Sequence, residues 1–213
     1  MPTDRELTPN PRRAKPCTFG SSFKQNKSMS APKNFTVPTR DEVSPANQVL
    51  FDNLKKGLGF VPNLYAYYGK NETALGDYLT LQNRKSTLKA KEREVINLVT
   101  SQVNGCRYCQ SAHTVLGKMN GFTEQQILEL RSGSASFDAK LDALVRFTKS
   151  VVENRGRATD TAKDAFFAAG YTEASLIDVV IVIGDKIISN YIHNLTGFAI
   201  DFPVAEELEA VPA

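Results

Sequence analysis

The stretch from Glu94 to His113, EVINLVTSQVNGCRYCQSAH, holds two of the chain's three cysteines, one of its two histidines and a carboxylate. Cys106 and Cys109 stand three apart, and Cys109 and His113 four apart, so on a helix all three side chains share roughly one face. Two effects favour a thiolate there. The unpaired N–H groups of a first helical turn attract negative charge, and a nearby imidazole takes the thiol proton and stabilises what is left. Such a thiolate is a nucleophile. Once a peroxide has oxidised it to a sulfenic acid, a second thiol one turn away condenses with that acid to a disulfide. The spacing therefore suits a dithiol redox cycle.

The elements that must position these groups are a helix, a tight turn and a second helix. From Lys91 the apolar residues Val95, Leu98 and Val99 recur at helical spacing up to Val103, and Asn104-Gly105 breaks the pattern. The cysteines then open the next helix. A reversal at that turn brings Glu94 back opposite His113, where a carboxylate can orient the imidazole or relay its proton. Other readings of the same residues exist. A CxxC pair can be half of a zinc site completed by His113, His193 or carboxylates, although closed structural sites want four ligands. Buried free cysteine is also often a small core residue, and Glu94 alone reads as a solvated helix residue.

The pattern of Glu94, CxxC and His113 on a helical hairpin resembles the alkyl hydroperoxidase D-like, peroxidase-related branch of the carboxymuconolactone decarboxylase family. The similarity runs from about Thr39 to Pro203. It includes GFVPNLYAYYGKNETALGDYLTLQ from Gly59, FDAKLDALVRFTKSVVENRGRATD from Phe137 and GYTEASLIDVVIVIGDKIISNYIHNLTGFAIDFP from Gly170. The resemblance implies a peroxiredoxin-type alkyl hydroperoxide reductase in which Cys109 reacts with peroxide, Cys106 resolves, and Glu94 and His113 form the proton relay. It implies no bound cofactor, an external dithiol such as a lipoylated protein as reductant, and a homo-oligomer, a trimer or a hexamer. One position departs: the best-known members carry a histidine where this chain has Tyr108. Members that decarboxylate a muconolactone typically lack the CxxC pair, so the cysteines argue for the redox branch. Two alternatives stand beside it, acid–base lactone chemistry on Glu94 and His113, and a redox-sensing or metal-binding oligomer without turnover.

A chain of 213 residues, 41% of them hydrophobic, can bury a sizeable core as one domain. Its net charge of +3 is uneven, because residues 1–28 carry six Lys/Arg against two acidic residues. That stretch has four prolines and no apolar run, so it reads as a disordered basic tail, extended here to residues 1–34. A transit peptide, a vector-derived leader or a true start at Met29 would also account for it. Cys17 lies in this tail as an incidental thiol. The helical domain is expected over 35–205, with a short tail at 206–213. The basic residues Arg84, Lys85, Lys89, Lys91 and Arg93 read as a solvated surface, with no nucleic-acid partner. No apolar segment reads as a secretory signal or membrane span, and the cysteine usage suits a reducing cytoplasm.

The remaining chain reads as helices. Ser44-Pro45 opens one over Ala46 to Leu58, and another is expected from Glu72 to Ser86. The aromatics Tyr65, Tyr67 and Tyr68 between them read as core or subunit contact rather than a ligand cage. Thr123 with Gln126 makes a capping box, Phe137 to Val152 is amphipathic, and a short helix runs from Thr159 to Ala169. Thr172 caps the last long helix, whose run from Leu176 to Ile183 reads as apolar all round and therefore buried, in a core or at a subunit interface. His193 near its end reads as a structural or interface histidine, protonated against the helix dipole. The expected fold is all-α.

Overall fold

The computed structural model describes residues 34–208. The basic tail and Cys17 lie outside the described residues, apart from Asn34. All described regular structure is helical: a short 3-10 turn at Arg40–Glu42, then α1 (Pro45–Leu58), α2 (Asn63–Tyr68), α3 (Ala74–Gln82), α4 (Ala90–Val103), α5 (Arg107–Met119), α6 (Glu124–Ser132), α7 (Ala139–Glu153), α8 (Asp160–Ala168) and α9 (Glu173–Thr196). The fold is all-α, as the periodicity requires.

Helix α4 is the centre, packing against α5, α6, α7 and α9. Its apolar residues Val95, Ile96, Leu98 and Val99 are essentially inaccessible to water and form one core with Leu130, Leu144, Phe166 and Val179. A second apolar cluster gathers Phe51, Leu64, Tyr68, Leu75 and Tyr78 around Cys106, Tyr108 and Cys109. The start of α5 thus points into the protein.

Local chemistry sets the boundaries. Ser44 Oγ accepts the Asn47 N–H at the start of α1, and Thr123 and Gln126 exchange the two bonds of a capping box at the start of α6. Between α4 and α5 the turn closes with Cys106 N–H donating to Ser101 O and Gly105 N–H to Gln102 O. Gly105 sits at φ 63°, a conformation that costs glycine least.

Three expectations need correction. The helix expected over Glu72 to Ser86 spans only Ala74–Gln82. It stops because the next segment finds a tertiary acceptor: Asp178 takes the Thr87 N–H, the Thr87 hydroxyl and an Arg84 N–H. Asp178 lies inside the run read as apolar all round, so that reading overlooked a buried acid. Nor is the helix buried all round, since Ile177, Val180, Ile188, Tyr191 and Leu195 are exposed along one stripe of α9. No single helix among the described residues is long and apolar enough to cross a membrane.

The last described residues fold back on the hairpin. Ala205 N–H donates to Ser111 Oγ, and Arg131 donates to Glu206 O. Asp178→Ala should cost about 1–3 kcal/mol in urea unfolding at neutral pH, the penalty for stranding buried donors. Burial opposes the Asp178 charge, but its donors win and hold the carboxyl down at about 2. The difference from wild type should therefore shrink as pH falls through that value, where the native carboxylate itself takes a proton.

Candidate active site

Glu94 lies one turn into α4, and its buried carboxylate is anchored by Asn97 Nδ2 at 2.9 Å. Across the hairpin its other oxygen stands 2.8 Å from His113 Nδ1. The pair inferred from the turn geometry is thus in contact. Burial opposes the Glu94 charge, yet His113, Lys186 and Asn97 outweigh it and the carboxyl pKa is lowered.

The other ring nitrogen meets a residue that the hairpin does not contain. Lys186 Nζ, from the middle of α9, is 3.1 Å from His113 Nε2, and the residue is only 3% exposed. Burial works against the ammonium, but Asp185, Cys109, Tyr65 and Glu94 outweigh it and raise its pKa. An ammonium only donates. Nε2 must then accept, leaving the proton on Nδ1 facing Glu94. His113 thus bridges a carboxylate and a cation.

The dithiol sits at the head of α5. Cys106 is its N-cap residue, and Cys106 Sγ accepts the Cys109 N–H at 3.4 Å. Both thiols are free and buried, at 0% and 2% exposure. Their environments separate them. A hydrogen bond from Cys106 acts on Cys109 most strongly, burial opposes, and Lys186 and His113 favour the anion, bringing Cys109 down to about 6. The bond given to Cys109, followed by burial, pushes Cys106 well above the usual thiol range. Asn190, fully buried on α9, takes the Asn104 amide of the turn at 2.9 Å, donates to Ser101 Oγ at 3.4 Å, and favours the anion of either thiol.

Cys109, His113, Glu94 and Lys186 all border an open cavity of about 460 Å³. Leu58, Phe60, Leu116, Met119 and Phe202 give it apolar walls. Tyr65 borders it too, with its hydroxyl on Gln82 at 2.8 Å, so this tyrosine faces the site as well as packing. Tyr108 has a supporting place: its hydroxyl accepts the Leu64 N–H, and its ring packs on His193, Phe198 and Phe202. His193 stands apart from the Glu94–His113 pair, with Nε2 donating to Phe198 O at 3.0 Å. Burial lowers its pKa, which corrects the expectation of a protonated ring.

Of the four residues singled out from the sequence, Glu94, Cys109 and His113 border the cavity, and Cys106 lies behind them one turn from Cys109. Sequence reasoning missed Lys186, Asp185 and Asn190. The signal was present: three polar residues interrupt an apolar helix at positions that share a buried face. Among the described residues, no three potential His, Cys, Asp or Glu ligands converge as a metal site.

Residues 71–150 match the carboxymuconolactone decarboxylase family. The fold is alkyl hydroperoxidase D-like. An uncharacterized peroxidase-related protein from Silicibacter sp. TM1040 superposes with a TM-score of 0.68 at 23% identity, covering 80% of this chain and 94% of that one. A second such protein, described as an alkylhydroperoxidase core, from Ralstonia eutropha JMP134, gives 0.72 at 18% identity, covering 79% and 92%. The debrominase Bmp8, a cysteine-to-alanine variant in complex with 2,3,4-tribromopyrrole, gives 0.66 at 17% identity, covering 81% and 94%. Among curated proteins none matches.

The asymmetry of the dithiol is directly measurable. Iodoacetamide should label Cys109 alone in the folded, reduced protein, with a half-maximal rate near pH 6, because the thiolate forms as pH rises through about that value. Equal labelling of both cysteines at neutral pH, read by peptide mapping, would overturn the assignment.

Proposed function

We propose that the protein is a thiol-dependent peroxidase that reduces organic hydroperoxides through a Cys106–Cys109 dithiol–disulfide cycle. The observation that carries this reading is Cys109 at the wall of a cavity it shares with Lys186 and His113, with a second free thiol one helical turn away. Cys109 is the peroxide-reacting thiolate and Cys106 the resolving thiol. Glu94 and His113 act as the relay that governs protons at the site, with Glu94 fixing the Nδ1–H tautomer of the imidazole.

The cavity walls favour a substrate with an apolar body, because hydrogen peroxide would leave most of that surface unused. The buried sulfurs favour a reductant that can enter the same cavity, so a slender dithiol arm, such as the lipoyl group of a lipoylated protein, suits it. No bound cofactor is required by this chemistry. Copies of the chain associate through the exposed α9 stripe of Ile177, Val180, Ile188, Tyr191 and Leu195, at helical spacing around the open position of Gly184.

A second reading is supported by the aromatic and apolar cavity walls and by the debrominase neighbour. A dithiol can remove halogen from an aryl bromide, giving the arene, bromide, a proton and the disulfide. Bromide release from a bromopyrrole by pre-reduced protein would favour it over the peroxidase. Lactone turnover surviving Cys106→Ser and Cys109→Ser together would instead favour acid–base chemistry on Glu94 and His113. Stoichiometric zinc in protein purified without added metal would favour a metal-binding oligomer.

The deciding experiment mixes pre-reduced protein with cumene hydroperoxide and counts free thiols. Two thiols should be lost per peroxide consumed. Cys109→Ser should abolish consumption, and Cys106→Ser should consume about one equivalent and stall as a sulfenic acid that dimedone traps. Unchanged steady-state consumption in both variants would overturn the proposal.

A further inference from the structure

We infer that Lys186 is a catalytic residue of this site, the cation that holds the Cys109 thiolate and the acid that protonates the alkoxide leaving from a hydroperoxide. The inference rests on the peroxidase reading for its second half; its first rests on the burial of Lys186, its contact with His113 and its place beside Cys109 on one cavity wall.

Four observations lead to it. The Lys186 ammonium reaches His113 Nε2 at 3.1 Å from a position almost closed to water, and it borders the same cavity as Cys109. Burying an ammonium costs several kcal/mol unless other charges answer it, so its retention in an apolar helix needs a reason. Its contacts also occupy the lone pair with which His113 would otherwise take the thiol proton, so the imidazole is not free to be the direct base. Finally, the ionised groups that face it besides the thiolate are two carboxylates. Asp185 on its own helix stands 3.6 Å away, Glu94 of α4 lies behind His113 of α5, and Tyr65 of α2 and Tyr78 of α3 are phenols whose burial keeps them protonated. Lys186 and Cys109 each favour the other's charged form.

The proton and electron balance closes around this residue. The Cys109 sulfur attacks the terminal oxygen of the hydroperoxide. An S–O bond forms, the O–O bond breaks, and its electron pair leaves on the alkoxide. The Lys186 ammonium gives that alkoxide a proton, yielding the alcohol, Cys109 sulfenic acid and a neutral amine. The Cys106 sulfur then attacks the Cys109 sulfur, forming the disulfide, while the sulfenic hydroxide leaves with the Cys106 proton as water. An external dithiol supplies two electrons and two protons to reset the site. One proton returns to Cys106 and one to the Lys186 amine, and Cys109 is again a thiolate. His113, held by Glu94, orients the amine between these states.

The test compares Lys186→Met and Lys186→Arg with wild type, each checked for folding by circular dichroism. In Lys186→Met the half-maximal pH for Cys109 alkylation should rise by one unit or more, at least an approximately five-fold loss of labelling at pH 6, where the wild-type thiol is about half ionised. Lys186→Arg keeps the charge and should keep labelling within a few-fold. Single-turnover oxidation by peracetic acid, whose leaving acetate needs no proton, should fall only in step with the thiolate fraction. Oxidation by cumene hydroperoxide should fall at least ten-fold further. An unchanged alkylation profile in folded Lys186→Met would overturn the thiolate role, and equal losses with the two oxidants would overturn the acid role. If wild type fails to consume either oxidant, the peroxidase reading falls and takes the acid role with it, while the alkylation profile still decides the first half.

Discussion

A lysine ammonium closed off among helices constrains everything around it. Such a charge survives only where other groups compensate the lost water. Here the compensation comes from separate parts of the chain: Asp185 on α9, the His113 ring on α5 and, behind that ring, Glu94 on α4. The Lys186–His113 contact forms only where α9 lies across the hairpin at one height. The short turn at Asn104-Gly105 fixes that height from the other side, because the Asn104 amide reaches Asn190 one turn beyond Lys186. The polar cluster therefore acts as a register pin for α4, α5 and α9, around which the apolar contacts close.

The placement of the dithiol follows from the same packing. A helix start is the natural place for a thiolate, since its N–H groups are unpaired. Here the start of α5 is turned inward, so that Cys106 and Cys109 belong to an apolar cluster and yet border the cavity through Cys109. Burial alone would keep both thiols protonated. The difference between them comes from direction: the Cys106 thiol gives its hydrogen bond and the Cys109 sulfur receives it, with Lys186 on the receiving side.

Local rules read from the sequence held wherever the deciding partner was close in the chain. The Thr123–Gln126 box and the turn at Asn104-Gly105 each depend on residues a few positions apart, and the Glu94–His113 pairing needs only one reversal of known length. Errors arose where a distant acceptor competed. The end of α3 and the loop after it are settled by Asp178, more than ninety residues later. The same acid was lost inside a hydrophobic run, because a periodicity argument weighs the average of a window and not one carboxylate within it. Tyr108 is similar: its position in the motif says nothing of the Leu64 N–H that its hydroxyl accepts.

By itself the sequence determined the helices, their caps and the alignment of Cys106, Cys109 and His113 on one face, since these follow from backbone geometry over a few residues. It also determined that Glu94 can meet His113. Only the tertiary structure decided which imidazole nitrogen carries the proton, because that depends on Lys186, seventy-three residues away along the chain. The tertiary structure likewise decided that the two thiols differ, and that the site opens into an apolar cavity. Charge and solvent access are sums over all neighbours in space, and a sequence orders those neighbours only along the chain.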